Sequence, residues 1–101
     1  MRIILFFDLP STTKKERREY SKFMKVLDKK GFAMLQESVY TKLALNQNVV
    51  NSVLKELKEK VPPDGLISVL TITEQQFSTI QHILGDIETE QILDDNKLVK
   101  L

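Results

Sequence analysis

Cysteine is absent from the 101 residues. That excludes a disulfide framework and thiolate chemistry, and it fits a reducing cytosol. Only three glycines are present, and they form no glycine-rich phosphate loop. One histidine, His82, stands without a second His or any Cys, so no metal-binding pattern includes it. It reads as a structural or surface residue. No apolar run is long enough to span a bilayer, and the N-terminus lacks a signal-peptide layout. The expected location is the cytoplasm, with no membrane partner.

What remains is an ordinary globular composition, 42% hydrophobic and 29% charged. The length suits one small domain whose core is modest, so oligomerisation is expected. The net charge of +1 conceals an asymmetry. Residues 1–60 hold 13 Lys and Arg against 7 Asp and Glu, and residues 61–101 hold 2 against 7. A basic half of a small domain can present a basic face.

The stretch IILFFDLP, residues 3–10, is a nearly continuous apolar run that ends in a carboxylate and a proline. Such a run predicts a strand over 2–8 buried on both faces. Thr13 with Glu16 forms a capping-box pattern, and Tyr20, Phe23, Met24 and Leu27 recur at helical spacing. These predict a helix over 13–30 that ends at Gly31. Residues 32–45 suit two short strands joined near Gln36 to Ser38. Asn46 caps a second helix over 47–60, PPDG at 62–65 is a turn, and LISVLTI at 66–72 is another strand.

The order β-α-β-β-α-β is that of the ferredoxin-like α+β sandwich. The expected arrangement is one domain, with this core over 1–72 and a C-terminal extension over 73–101. A second capping-box pattern, Thr73 with Gln76, predicts a short helix in the extension. A fifth strand is expected over 80–85 and a hairpin over 90–101. With both helices on one face of the sheet, the other face is bare. Alternation puts Ile3, Leu5 and Phe7 towards the helices and Ile4, Phe6 and Asp8 outward. A bare apolar face of that size calls for a partner.

Asp8 is the leading candidate for chemistry. A strand-end Asp before Pro is most often a turn or cap residue. Hard cations such as Mg²⁺, however, need only one or two carboxylates plus phosphate and water. A two-fold axis through the bare sheet face would bring two copies of Asp8 together. The second candidate is the run KKERREYSKFMKVLDKK. Its cations Lys14, Lys15, Arg17, Arg18, Lys22, Lys25, Lys29 and Lys30 face only Glu16, Glu19 and Asp28. It is either a solvated helix face with i,i+4 pairs or a surface for phosphates. Lys55, Lys58 and Lys60 are matched by Glu56 and Glu59. Ser38 and Tyr40, on a strand expected beside the first, are placed on the same outward face as Asp8.

FFDLP, KKERREYSKF, GFAMLQESVYTKL and ISVLTITEQQF together resemble the small CRISPR-associated adaptation protein family, the second core member of that system. The wording is closest to versions found beside a type II effector, and the match runs over nearly the whole chain. The resemblance implies a ferredoxin-like homodimer with facing sheets and a fifth strand crossing to the partner. It implies a subunit of the spacer-acquisition complex, clamped between two dimers of the CRISPR integrase and holding the duplex DNA of an incoming spacer. It also implies a metal-dependent endoribonuclease that uses Mg²⁺ or Mn²⁺, with single-stranded RNA as a further ligand. In this likeness Asp8 corresponds to the catalytic, metal-binding Asp. Lys15, Arg17 and Arg18 correspond to the basic helix start, with Lys14 and Lys22 in the same nucleic-acid-binding cluster. Ser38 and Tyr40 correspond to the S-V-aromatic residues. Position 15 is Lys where other members have Arg.

Two other readings fit the element order. One is an RNA-recognition-like module for single-stranded RNA, in which Phe6 or Tyr40 would stack bases; the glycine-aromatic signature of that module is missing. The other is a ligand-binding regulatory domain, against which the cations of 14–30 weigh. No general base is evident near Asp8, so the binding role is expected to outweigh catalysis.

Overall fold

A computed structural model describes residues 1–85. Strand β1 (Arg2–Asp8) leads into helix α1 (Lys14–Lys29). A hairpin of β2 (Ala33–Gln36) and β3 (Val39–Leu43) follows, then α2 (Gln47–Lys58), β4 (Leu66–Ile72) and one short turn of helix, α3 (Glu74–Ser78). The sheet order is β2-β3-β1-β4, and each neighbouring pair is antiparallel. This is the α+β, ferredoxin-like architecture that the element order predicts.

Local chemistry fixes the boundaries. Thr13 accepts from the Glu16 amide while the Glu16 carboxylate accepts from the Thr12 and Thr13 amides. Three otherwise unpaired donors at the start of α1 are thereby satisfied. These backbone hydrogen bonds, Thr13 first, hold the Glu16 carboxyl below the usual carboxylate range. At the other end Gly31, at φ +86°, lets the Phe32 amide donate to Leu27 and the Gly31 amide to Asp28. Phe32 then packs into the same core as Leu27. Asn46 caps α2 through the Val49 amide.

The core lies between the helices and one face of the sheet. Ile3, Leu5 and Phe7 of β1 meet Phe23 and Leu27 of α1 and Val50, Val53 and Leu57 of α2. Phe7 packs edge-on against Tyr20 and Phe23 and stacks on Tyr40. Lys30 and Glu56 tie the ends of α1 and α2 across 2.5 Å. That hydrogen bond from Lys30 keeps the Glu56 carboxyl below its ordinary value.

Two expectations need revision. Tyr40 lies directly opposite Leu5 in the β1–β3 register, so it shares the helix-facing side and not the outward side of Asp8. Burial raises its phenol pKa, with smaller contributions from Tyr20 and Asp28. Residues 80–85, expected as a fifth strand, form no strand among the described residues, and Ile83 and Leu84 stand exposed. A strand exists by pairing, and among the described residues this segment lies against no sheet edge. The hairpin expected over 90–101 lies outside the described residues. Among the described residues no helix is long and apolar enough to cross a membrane.

Candidate functional site

The outward face of the sheet carries Arg2, Ile4, Phe6 and Asp8 in a line along β1. Register places Leu70, Ser68 and Leu66 of β4 beside the last three of these. On the other side Thr41 and Val39 of β3 oppose Ile4 and Phe6. Phe6 is 43% exposed, Leu70 54% and Leu66 68%. A contiguous apolar surface therefore lies open over the middle of the sheet and the Asp8 end, as the alternation of β1 predicts.

The other end of this face is closed. Arg2 is 2% exposed, although it begins a strand on the face that no long helix covers. Helix α3 accounts for this. The Arg2 guanidinium donates from Nε and Nη2 to the two carboxylate oxygens of Glu74, at 2.7 and 2.6 Å. It also lies 4.4 Å above the centre of the Phe77 ring. A bidentate, charge-assisted pair backed by a cation–π contact seals the Arg2 end.

Asp8 is exposed at the last position of β1, opposite Leu66. Its backbone is held on two sides. Ser38, in the β2–β3 turn at φ +67°, accepts a hydrogen bond from the Phe7 amide at 3.1 Å. On the β4 side, Gly65 at φ +111° comes so close that a Cβ there would stand 2.8 Å from the Asp8 carbonyl oxygen and 2.7 Å from Leu9 Cδ2. Only glycine tolerates both the conformation and the approach. The carboxylate thus projects from a firmly seated strand end. Of the two secondary candidates, Ser38 joins this end through its backbone carbonyl, and Tyr40 does not line the outward face.

The carboxylate suits a hard, oxygen-seeking cation that keeps most of its water. Among the described residues no three His, Cys, Asp or Glu side chains converge as a metal cage. The described residues of one chain therefore supply a single carboxylate at this position.

The chain from Asp8 through Pro10 delivers α1 at the same end of the molecule. A cleft of about 140 Å³ opens there, walled by Leu9, Pro10, Tyr20 and Pro63, with Lys15 and Asp64 at its polar side. Lys14, Lys15, Arg18 and Lys22 are exposed along α1. Arg17 is exposed too, but its guanidinium folds back to donate to the Thr12 carbonyl. The cluster expected for nucleic acid therefore has four exposed members besides Arg17, which is committed to the helix approach. The Arg2–Glu74–Phe77 arrangement was missed by sequence reasoning. Its faint signal was a charged residue heading an apolar strand, with a second acidic capping turn downstream.

The family model described as CRISPR associated protein Cas2 matches residues 1–80. A protein named CRISPR-associated endoribonuclease Cas2 from Treponema denticola is 46% identical over 101 residues, covering 100% of both chains. Its namesake from Streptococcus mutans serotype c is 44% identical, covering 100% of this chain and 93% of its own length. One from Ligilactobacillus salivarius is 38% identical over 85 residues, 84% of each chain. The chain belongs to the Cas2 family of CRISPR-associated proteins.

Proposed function

We propose that this protein is the small subunit of a CRISPR spacer-acquisition complex: a homodimer that holds the duplex DNA of an incoming spacer between two integrase dimers. It also keeps a metal-dependent phosphodiester-cleaving site, built around Asp8, of the endoribonuclease kind named for its relatives. The observation that carries this reading is the clustering at one end of the sheet. An open apolar face, an exposed strand-end carboxylate and a cationic helix start lie together there.

Each feature has a part in the proposal. The face of Ile4, Phe6, Leu66 and Leu70 is the surface for a second copy, since apolar surface of this extent is stabilised by removal from water. A two-fold axis through that face would set two Asp8 carboxylates near one another and complete a site that one chain leaves half-built. The pair would hold Mg²⁺ or Mn²⁺, which when bound supplies an activated water and neutralises charge on a phosphate. The protein's own contribution is positional: Gly65 and Ser38 seat the strand end that aims the carboxylate. Cations of α1 contact the sugar-phosphate backbone without reading bases.

Sedimentation combined with a binding panel of duplex DNA and single-stranded RNA tests the proposal. The expected result is a dimer at micromolar concentration that binds duplex DNA in a salt-dependent way. Ile4→Asp with Phe6→Asp is expected to leave a monomer or an aggregate. A monomeric wild type that binds only single-stranded RNA would favour the RNA-recognition reading instead, with Phe6 as the stacking residue.

A further inference from the structure

The cations of α1 are not spread evenly round the helix. Lys15, Arg18, Lys22, Lys25 and Lys29 follow one another at steps of 3, 4, 3 and 4 residues, and all five are exposed. At 3.6 residues per turn these steps keep the five within an arc of about 80°. At 1.5 Å per residue they run along about 21 Å of helix axis, nearly the whole of α1. The other charged residues fall outside the arc. Arg17 and Asp28 share the next flank, where Arg17 is engaged with Thr12. Glu19 lies on the side towards the core. Lys30 is paired with Glu56. Among the described residues none of the five enters an ion pair.

We infer that this ridge is one continuous track for the phosphate backbone of duplex DNA, and that Lys25 and Lys29, in the second half of α1, are binding residues on a par with Lys15, Arg18 and Lys22. The inference rests on the nucleic-acid-binding role proposed above and extends the contact well beyond the helix start. Three features select the ligand. A duplex presents its phosphates as a dense, regular array of negative charge, and five cations along about 21 Å can neutralise several of them together. No aromatic residue lies in the arc, which removes the stacking platform that single strands require. No apolar residue lies in it either, and lysine is depleted from protein–protein interfaces, so an acidic protein is the poorer fit.

The test measures the salt dependence of affinity for one DNA duplex of fixed length, with the full chain. Lys25→Gln with Lys29→Gln is compared with Lys15→Gln, Arg18→Gln and Lys22→Gln together, and with Lys55→Gln and Lys58→Gln on α2 as control. Circular dichroism confirms that each variant is folded. In a plot of log affinity against log salt, the distal pair is expected to reduce the slope by up to about 1.8, and the proximal triple by up to about 2.7. The α2 control is expected to leave it unchanged. A reduced slope for the triple with a wild-type slope for the distal pair would overturn the inference and leave the binding role standing. Wild-type slopes for both would overturn the binding role as well. Equal loss in the α2 control would show bulk charge at work, and the ridge would then be no track.

Discussion

The two ends of β1 carry opposite charges on the same face of the sheet, and the fold treats them in opposite ways. Arg2 is buried, bound bidentately by Glu74 and covered by Phe77. Asp8 is exposed, and only its backbone neighbours are fixed, by Gly65 and by the Ser38 carbonyl. A charge that a fold spends on stability is desolvated and paired; a charge kept for a ligand is aimed and left open. By this contrast the Arg2 end belongs to the structure, and the Asp8 end is open to the cation and phosphate of the proposed function.

The contrast breaks most readily at its buried end. Glu74→Ala leaves the Arg2 guanidinium without its bidentate acceptor and is expected to cost about 3 kcal/mol, the lower end for a broken buried pair because Glu74 is partly in water. Glu74→Gln keeps the shape of the contact and should cost less. Urea unfolding midpoints check both. A loss below about 0.5 kcal/mol for Glu74→Ala would mean that the Arg2 end resembles an exposed surface pair.

A second variant sharpens the other end. Gly65→Ala forces a side chain into a left-handed backbone and against the Asp8 carbonyl. The expected destabilisation is about 2 kcal/mol. Because the strained contact is with the Asp8 backbone, hydrogen exchange should report loosening at Phe7, whose amide bonds to Ser38, and not at the Arg2 end. Loosening that spreads evenly over β1 would show that its two ends are not separate.

Smaller effects follow from acid and from one orphaned hydroxyl. The Glu16 carboxyl is held below its ordinary value of 4.5 by the cap hydrogen bonds. Its contribution is therefore fully present above that value and is lost as pH falls through the depressed one. Protection of the first amides of α1 should fall over that acid window. In Glu16→Gln, which retains the cap geometry without a titrating group, it should stay flat. Thr41 is buried, and among the described residues its Oγ1 has no hydrogen-bond partner. Thr41→Val removes that unsatisfied group and is expected to leave stability unchanged or raise it by up to about 1 kcal/mol. A clear loss in the unfolding midpoint would mean that the hydroxyl finds a partner in the assembled protein.

Much of this was legible in the residues. The apolar run of β1, the two capping boxes, Gly31, Asn46 and the PPDG turn each act locally, and each stands where its chemistry requires. Alternation along β1 correctly separated Phe7 from Phe6. The same rule failed one strand away, at Tyr40. There the phase of β3 is set by a turn with Ser38 at positive φ and by an irregularity between Met34 and Gln36. A one-residue uncertainty in such a turn exchanges the two faces of the strand that follows. The Arg2 latch escaped for a different reason. Its partners are 72 residues apart in the chain, and only the β1–β4 register brings them together. The face of α1 that carries the basic ridge was written in the spacing, but the loss of Arg17 to Thr12 was not, because it depends on how the chain approaches the helix.

The most direct test of the division between the two ends is Asp8→Asn, examined in one preparation for thermal stability, oligomeric state and Mg²⁺- or Mn²⁺-dependent cleavage of single-stranded RNA and duplex DNA. The account predicts an unchanged melting temperature, an unchanged dimer and complete loss of whatever cleavage the wild type shows. Cleavage that persists in Asp8→Asn, or a melting temperature that collapses with it, would contradict the account by showing that the exposed end of β1 is either not the metal's seat or not free of structural duty.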